Sequence, residues 1–290
     1  MEVVTEKPAS SPSGPLLGLP HVAPCPYARL MDHVTYLTAI REESERFLDA
    51  LAATPPDAAV PACADWTATD LLWHLAEVQH TWARVVQGGT SGDQLPEPER
   101  PADGDLAGFA ALSGTELLAA LDGRDPAEPC WSWHADGGSV GWVARRQAHE
   151  ALIHRVDAEQ AAGRQVTPPT PELAADGVDE VLRVMVDGLP AWATFAADGV
   201  HVRLVCTNAD ASWTMALGRF TGTSPSSGTV YDEETAALVA DTPDADLTLA
   251  GPAWDLDRWL WGRGGIEAID VSGDPAVLER LKAVMVDATQ

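Results

Sequence analysis

Apolar residues recur at helical spacing through the first two thirds of the chain and at strand-like spacing through much of the rest. In YARLMDHVTYLTAIREESERFLDALAA, Leu30, Val34, Leu37, Phe47, Leu48 and Leu51 predict a first amphipathic helix, ended by the connection TPPDAAVPACADW. TATDLLWHLAEVQHTWARVVQGG predicts a second helix over about 68–87. Thr67 followed by Asp70 gives it a start like a capping box, and Gly88-Gly89 gives it a stop. A linker rich in Pro, Glu, Asp and Gly over 91–105 leads to LAGFAALSGTELLAALDG, a third helix predicted to break or begin late near Ser113 and Gly114. DPAEPCWSWHADGGS reads as a loop. VGWVARRQAHEALIHRVDAEQAAG predicts a long fourth helix closed by Gly163, and PELAADGVDEVLRVMVDGLPAW a fifth. Up to about residue 195 the pattern is helical throughout, with spacings that suit an antiparallel bundle.

The pattern then changes. HVRLVCTN, ASWTMALGRFTG, GTVYDEE and DADLTLAG are short, β-branched or alternating, and bounded by Gly, Asn and Asp, as strands of an antiparallel sheet are. PAWDLDRWLWGR and DPAVLERLKAVMVDA predict helices, with IEAIDVSG a strand between them. The expected fold class is therefore α+β in two domains. An antiparallel helical bundle occupies 27–195, and a small α+β domain with an antiparallel sheet occupies 196–290. Residues 1–26, broken by prolines, are expected to form a flexible extension.

Composition narrows the function classes. The 18 Lys and Arg against 44 Asp and Glu give a net charge of −26, which repels nucleic-acid phosphates and anionic lipid heads. A small anionic substrate then needs a local cationic pocket. The four cysteines, Cys25, Cys63, Cys130 and Cys206, form no CxxC pair and suit a reduced, cytoplasmic protein better than a disulfide framework. No run approaches the roughly 18 apolar residues of a membrane-spanning helix. The N-terminal stretch lacks the basic start and unbroken apolar run of a signal peptide.

The chemistry is concentrated in AHEALIH, residues 148–154. It is one residue longer than the HExxH spacing of metalloproteases. At about 100° per residue, His149 and His154 lie about 140° apart around a helix and cannot easily share one ion. Glu150 and His154 are only about 40° apart and one turn along, so both can face the same ion. A third ligand must come from another helix. His74, among Leu71, Leu72, Leu75 and Val78 in the second helix, is the best placed. Three protein ligands with an open fourth position define a catalytic zinc site. A Glu/His pair at this spacing also occurs as a plain surface ion pair, and a mid-helix histidine also occurs as a satisfied core residue. Spacing alone leaves both open. His80 is about 120° around from His74, and His33 borders the apolar stripe of the first helix as a possible outer partner. His134 and His201 fall in a predicted loop and a predicted strand, outside this pattern.

With these residues in view, the chain resembles the actinobacterial maleylpyruvate isomerase family, the mycothiol-dependent branch of the DinB-like superfamily. The resemblance rests on CADWTATDLLWHLAEV, RRQAHEALIHRVDAE and LTLAGPAWDLDRWLWGRGGIEAIDVSGDPAVLERL, and spans roughly residues 28–290. It implies a DinB-like four-helix bundle and a sterol-carrier-like second domain. It further implies a metal held by His74, Glu150 and His154, usually zinc, with another divalent ion such as nickel as the other choice. Mycothiol, a low-molecular-weight thiol, is the implied co-substrate, in the cleft between the domains.

A bound cation lowers a thiol's pKa and makes it nucleophilic at neutral pH. The implied chemistry is thiolate addition to an electrophilic or anionic substrate. It ends either as cis–trans isomerisation of a maleylpyruvate-like acid or as S-transfer. For the substrate carboxylates, Arg263 is the first candidate on the family pattern, with Arg258 beside it and Arg84 on the second helix. Arg258 and Arg263 also suit salt bridges in so acidic a chain. Arg145, Arg146 and Arg155 are expected to pair with Asp157, Glu159 or other carboxylates, and Asp157 lies close to the Glu150/His154 face. Two alternatives stand beside this reading. One is a metal-bound bundle with thiol-independent hydrolytic or biosynthetic chemistry; the other is a non-catalytic ligand-binding protein. The chain is expected to work as a monomer or homodimer, without nucleic acid or membrane.

Overall fold

The computed structural model describes residues 31–289, apart from 89–91, 135–136, 188, 191 and 243. The predicted extension at 1–26 lies outside the described residues. Side-chain caps set where the first helices begin. Helix α1 (His33–Leu51) follows Asp32, whose carboxylate accepts the Thr35 backbone N–H. Helix α2 (Ala68–Gly88) opens on a reciprocal pair: Thr67 N–H donates to Asp70 Oδ2 at 3.1 Å, and Asp70 N–H to Thr67 Oγ1 at 3.3 Å. Helix α4 (Val140–Ala161) follows Ser139, which accepts from Trp142 N–H, and ends before Gly163 in the left-handed region at φ +64°.

Helix α3 (Asp103–Leu121) runs unbroken through the predicted break. Ser113 Oγ donates back to the Phe109 carbonyl one turn earlier, so its hydroxyl is satisfied within the helix. Gly114 is there for proximity: a Cβ on it would sit 3.1 Å from Gln79 Oε1 of α2. In the stretch read as a loop, β1 (Pro129–Cys130) pairs with β2 (Gly138–Ser139).

Contacts between side chains fix the directions of the four bundle helices. Trp73 stacks on Phe109, His80 meets Glu116, and Arg124 donates to the Val86 carbonyl, so α2 and α3 run parallel. Tyr36 meets His149 and Glu43 meets Arg155, so α1 and α4 are parallel as well. The expected antiparallel packing holds across α2/α4, where His74 faces Glu150 and Trp82 faces Trp142, and across α1/α3, where His33 Nε2 lies 3.1 Å from the Leu121 carbonyl. Two parallel neighbours in sequence need a return path the length of a helix, and the polar linker before α3 supplies it. Arg100 secures that linker to α2 by pairing with Asp70 and lying over the Trp73 ring.

The chain divides at Pro168/Pro169, whereas the sequence pattern places the boundary near 195. Helix α5 (Pro171–Glu180), with a π-helical continuation over Val181–Val186, packs on α6 (Ala253–Leu260) and so belongs with the second unit. Gly177 makes that contact close, because a Cβ there would lie 2.6 Å from Asp257 Oδ2. The helical pattern read through Trp192 gives way to strand at Ala193. Strands β3 (Ala193–Cys206), β4 (Ser212–Thr223), β5 (Val230–Val239), β6 (Leu247–Gly251) and β7 (Asp270–Gly273) form a sheet in the order β5-β4-β3-β6-β7. Helix α7 (Pro275–Thr289) follows.

The sheet is antiparallel except at β3/β6, which pair in parallel. After β5 the chain crosses over β4 and β3 without reversing. Asp241 pins that crossing by accepting from Thr214 Oγ1 and Arg203 Nη2.

Candidate metal centre

Helices α2 and α4 bring the three candidate ligands to one place. An apolar cluster that includes Phe47, Leu71, Leu75 and Ala158 packs the N-terminal turns of α2 against the C-terminal turns of α4, with Trp66 against it. His74 therefore faces the stretch of α4 that holds Glu150 and His154. The Nε2 atoms of His74 and His154 each lie 3.2 Å from the same oxygen, Glu150 Oε1, and the three potential ligand atoms all lie within 4.8 Å of one another. Ligands about 2.0–2.1 Å from a tetrahedral centre stand about 3.4 Å apart, close to the two 3.2 Å separations. His74 keeps 32% of its side chain exposed against 9% for His154, so the group opens on the His74 side.

Further groups complete the surroundings. His154 Nδ1 donates to Asp157 Oδ2 at 3.0 Å, and Asp157 has no exposed side-chain surface. Arg146, itself 4% exposed, donates to Glu150 Oε2 at 2.6 Å. The Trp66 ring centroid lies 4.8 Å from that of His74 and 6.4 Å from that of His154, walling one side of both imidazoles. Cys63 Sγ approaches the same Asp157 Oδ2 at 3.9 Å.

The donor set fits a cation. With the Nδ1 proton given to Asp157, a neutral His154 turns its Nε2 lone pair toward the Glu150 carboxylate, and two acceptors face each other. Only a proton or a metal ion between them relieves that contact. The charge balance reflects the same demand. Burial pushes the His154 pKa down, but the Glu150 charge, the bonds to Asp157 and Glu150 and the Asp157 charge outweigh it and raise the pKa to about 9. Burial likewise opposes the Glu150 charge. The charges of His154 and Arg146 and the bonds from both histidines reverse that effect and hold the carboxyl well below its usual range.

The other sequence candidates lie elsewhere. His149 is buried on another face of α4, edge-on to Tyr36 of α1. His33 reaches the Leu121 carbonyl, and His80 meets Glu116 and Phe109. Arg84 is half-buried ten residues beyond His74, about 15 Å along α2, and does not join the cluster. In the second unit, Arg258 pairs with Asp255 at 2.7 Å and lies over the Trp254 ring, and Arg263 donates to the Trp261 carbonyl. Arg155 is fully buried between Glu43 and Glu159.

Comparison with known proteins adds a family to this geometry. Residues 37–159 match the mycothiol maleylpyruvate isomerase N-terminal domain, and residues 172–280 match the C-terminal domain of the same enzymes. The chain belongs to the mycothiol-dependent maleylpyruvate isomerase family. His74, Glu150 and His154 all fall within the N-terminal match. Two solved structures share the family's fold with it. The mycothiol-dependent maleylpyruvate isomerase superposes with a TM-score of 0.53 at 15% identity, and a histidine-to-alanine mutant of that enzyme with 0.54 at 14%. Each alignment covers 83% of this chain and 93% of the other. No curated protein matches the sequence. Among the described residues no helix is long and apolar enough to cross a membrane.

Two neighbours of the cluster escaped the sequence reading. Arg146 was available from its i, i+4 spacing to Glu150; the expected partners Asp157 and Glu159, 11 and 13 residues on, lie about 16–20 Å along α4 and out of its reach. Trp66, eight residues before His74, precedes α2 and carried no periodic signal.

Proposed function

We propose that this family member is a metal-dependent enzyme that activates a small thiol, mycothiol, for addition to an electrophilic acid. It acts as a cis–trans isomerase of a maleylpyruvate-like substrate or as a thiol S-transferase. The carrying observation is the convergence of His74 Nε2, Glu150 Oε1 and His154 Nε2 on one space, with the other ends of His154 and Glu150 already bonded. A divalent ion held by these residues, zinc or another such as nickel, supplies a Lewis acid that lowers the pKa of a thiol.

The chain's own groups prepare that step. Asp157 keeps the His154 proton on Nδ1 and leaves Nε2 as a donor of electrons. Arg146 occupies Glu150 Oε2. Trp66 shields the imidazoles from water, and the exposed edge of His74 leaves the approach for the thiol.

In the isomerase reading, the thiolate adds to the C=C of a cis-enedioyl acid. The former double bond then rotates, and elimination of the same thiolate returns the trans acid, with no net change in atoms or electrons. In the transferase reading the C–S bond formed at the electrophile stays, and the carbanion left by the addition takes up a proton from solvent. Arg263 is our proposed partner for the substrate carboxylate.

The experiment is turnover of a maleylpyruvate-like cis acid by untagged protein, followed by NMR. It is run with and without mycothiol, before and after chelation. Formation of trans product or of a thiol adduct only when metal and thiol are both present is the expected result. Turnover indifferent to added thiol assigns the bundle a different chemistry and defeats this reading.

A further inference from the structure

We propose that Arg146 is a positioning residue that holds Glu150 as a one-oxygen ligand and so keeps a coordination position open for the thiol; this rests on the metal reading above. The two carboxylate oxygens of Glu150 have separate tasks. Oε1 faces both imidazole Nε2 atoms at 3.2 Å, and Oε2 receives the Arg146 Nη2 donor at 2.6 Å. An unrestrained carboxylate can bind a cation through both oxygens. Here the second oxygen is engaged by a charged donor in a buried place, where such a bond is strong.

Three features make this arrangement rigid. Arg146 and Glu150 sit one turn apart on α4, so the helix fixes the reach of the pair. Arg146 is 4% exposed and Glu150 15% exposed, which limits competition from water. On the far side of the cluster Asp157 does for His154 what Arg146 does for Glu150, so two ligands are held from behind by groups of opposite charge.

The charges also matter. Glu150 and Asp157 are two negative groups around the imidazoles, and Arg146 cancels one of them. A dication here faces less neutralising charge than the two carboxylates alone would give. It therefore attracts a thiolate more strongly. A guanidinium serves better than an ammonium because its planar fork keeps its direction, although either supplies the charge.

The test uses whole protein loaded with Co2+, whose visible bands are intense in four-coordinate and weaker in five-coordinate sites. Wild type is expected to show the four-coordinate spectrum and R146K to keep most of it. R146Q is expected to shift to the weaker spectrum and to bind mycothiol about tenfold or more less tightly, the scale on which outer partners act. An R146Q protein with the wild-type spectrum and thiol affinity overturns the role of Arg146. Should R146Q not fold, a crystal structure of the Co2+-loaded wild type decides. Glu150 bound through Oε1 alone supports the proposal, and Glu150 bound through both oxygens overturns it. Wild type that gives no cobalt bands sinks the metal reading itself, a result distinct from either of these.

Discussion

His154 Nδ1 and Asp157 Oδ2 lie 3.0 Å apart, one turn along α4, with the carboxylate wholly buried. This bond selects the tautomer that leaves Nε2 free to bind an ion. Replacing Asp157 by Ala removes the selection without touching a ligand atom. Metal affinity is expected to fall by about 10–100-fold, the usual cost of losing such a partner. Asp157→Asn keeps an acceptor and is expected to lose less. Competition against a chromophoric chelator measures both, and equal affinity in Asp157→Ala and wild type would contradict the assignment.

The same cluster sets a pH dependence for metal-stripped protein. The pKa of His154 is about 9 in the folded state against 6.5 for the free side chain. A raised pKa means that folding favours the protonated form. Its stabilisation is fully present below pH 6.5 and is lost as pH rises through about 9. The melting temperature of stripped protein is thus expected to drop between pH 7 and 9.5. Loaded protein is expected to drop less, since an ion on Nε2 takes the proton's place. Parallel melting curves for the two forms across that range would count against an ion at His154.

Arg155, the next residue in the chain, has a purely structural task. Its Nε donates to Glu43 Oε2 at 2.6 Å, and its Nη1 donates to Glu159 Oε2 at 2.7 Å and to the Thr167 carbonyl. This ties α1, α4 and the segment after α4 together. Arg155→Leu removes the buried cation between Glu43 and Glu159, leaving the first to the half-exposed Arg46 and the second to the Thr167 donors, and is expected to cost about 3–5 kcal/mol. Urea denaturation measures the cost, and a loss under 1 kcal/mol would show that water reaches the pair.

Much of this molecule was legible before any coordinates. Helix α2 carried its start, its stop and its apolar face openly, and α4 its stop at Gly163. Fixed helical angles alone separated Glu150 and His154 from His149. What the sequence did not show depends on partners far along the chain. Gly114 reads locally as a breaker, but its reason is Gln79 on another helix. Helix α5 has the same periodicity whether it packs on the bundle or on α6. The parallel pairing of β3 with β6 depends on a seven-residue crossing whose anchor, Asp241, looks like any loop aspartate. The partner of Arg146, by contrast, is legible in the i, i+4 spacing to Glu150, since Asp157 and Glu159 lie too far along α4 to compete.

The central claim is that His74, Glu150 and His154 hold an ion that binds and activates a thiol. Its most direct measurement is the near-ultraviolet spectrum of Co2+-loaded protein titrated with mycothiol, with His74→Ala and Glu150→Ala alongside. The expected result is a thiolate-to-cobalt charge-transfer band that saturates at one thiol per chain in wild type and is absent from both variants. Wild type that binds cobalt but develops no such band, or variants that develop it equally, would contradict the account.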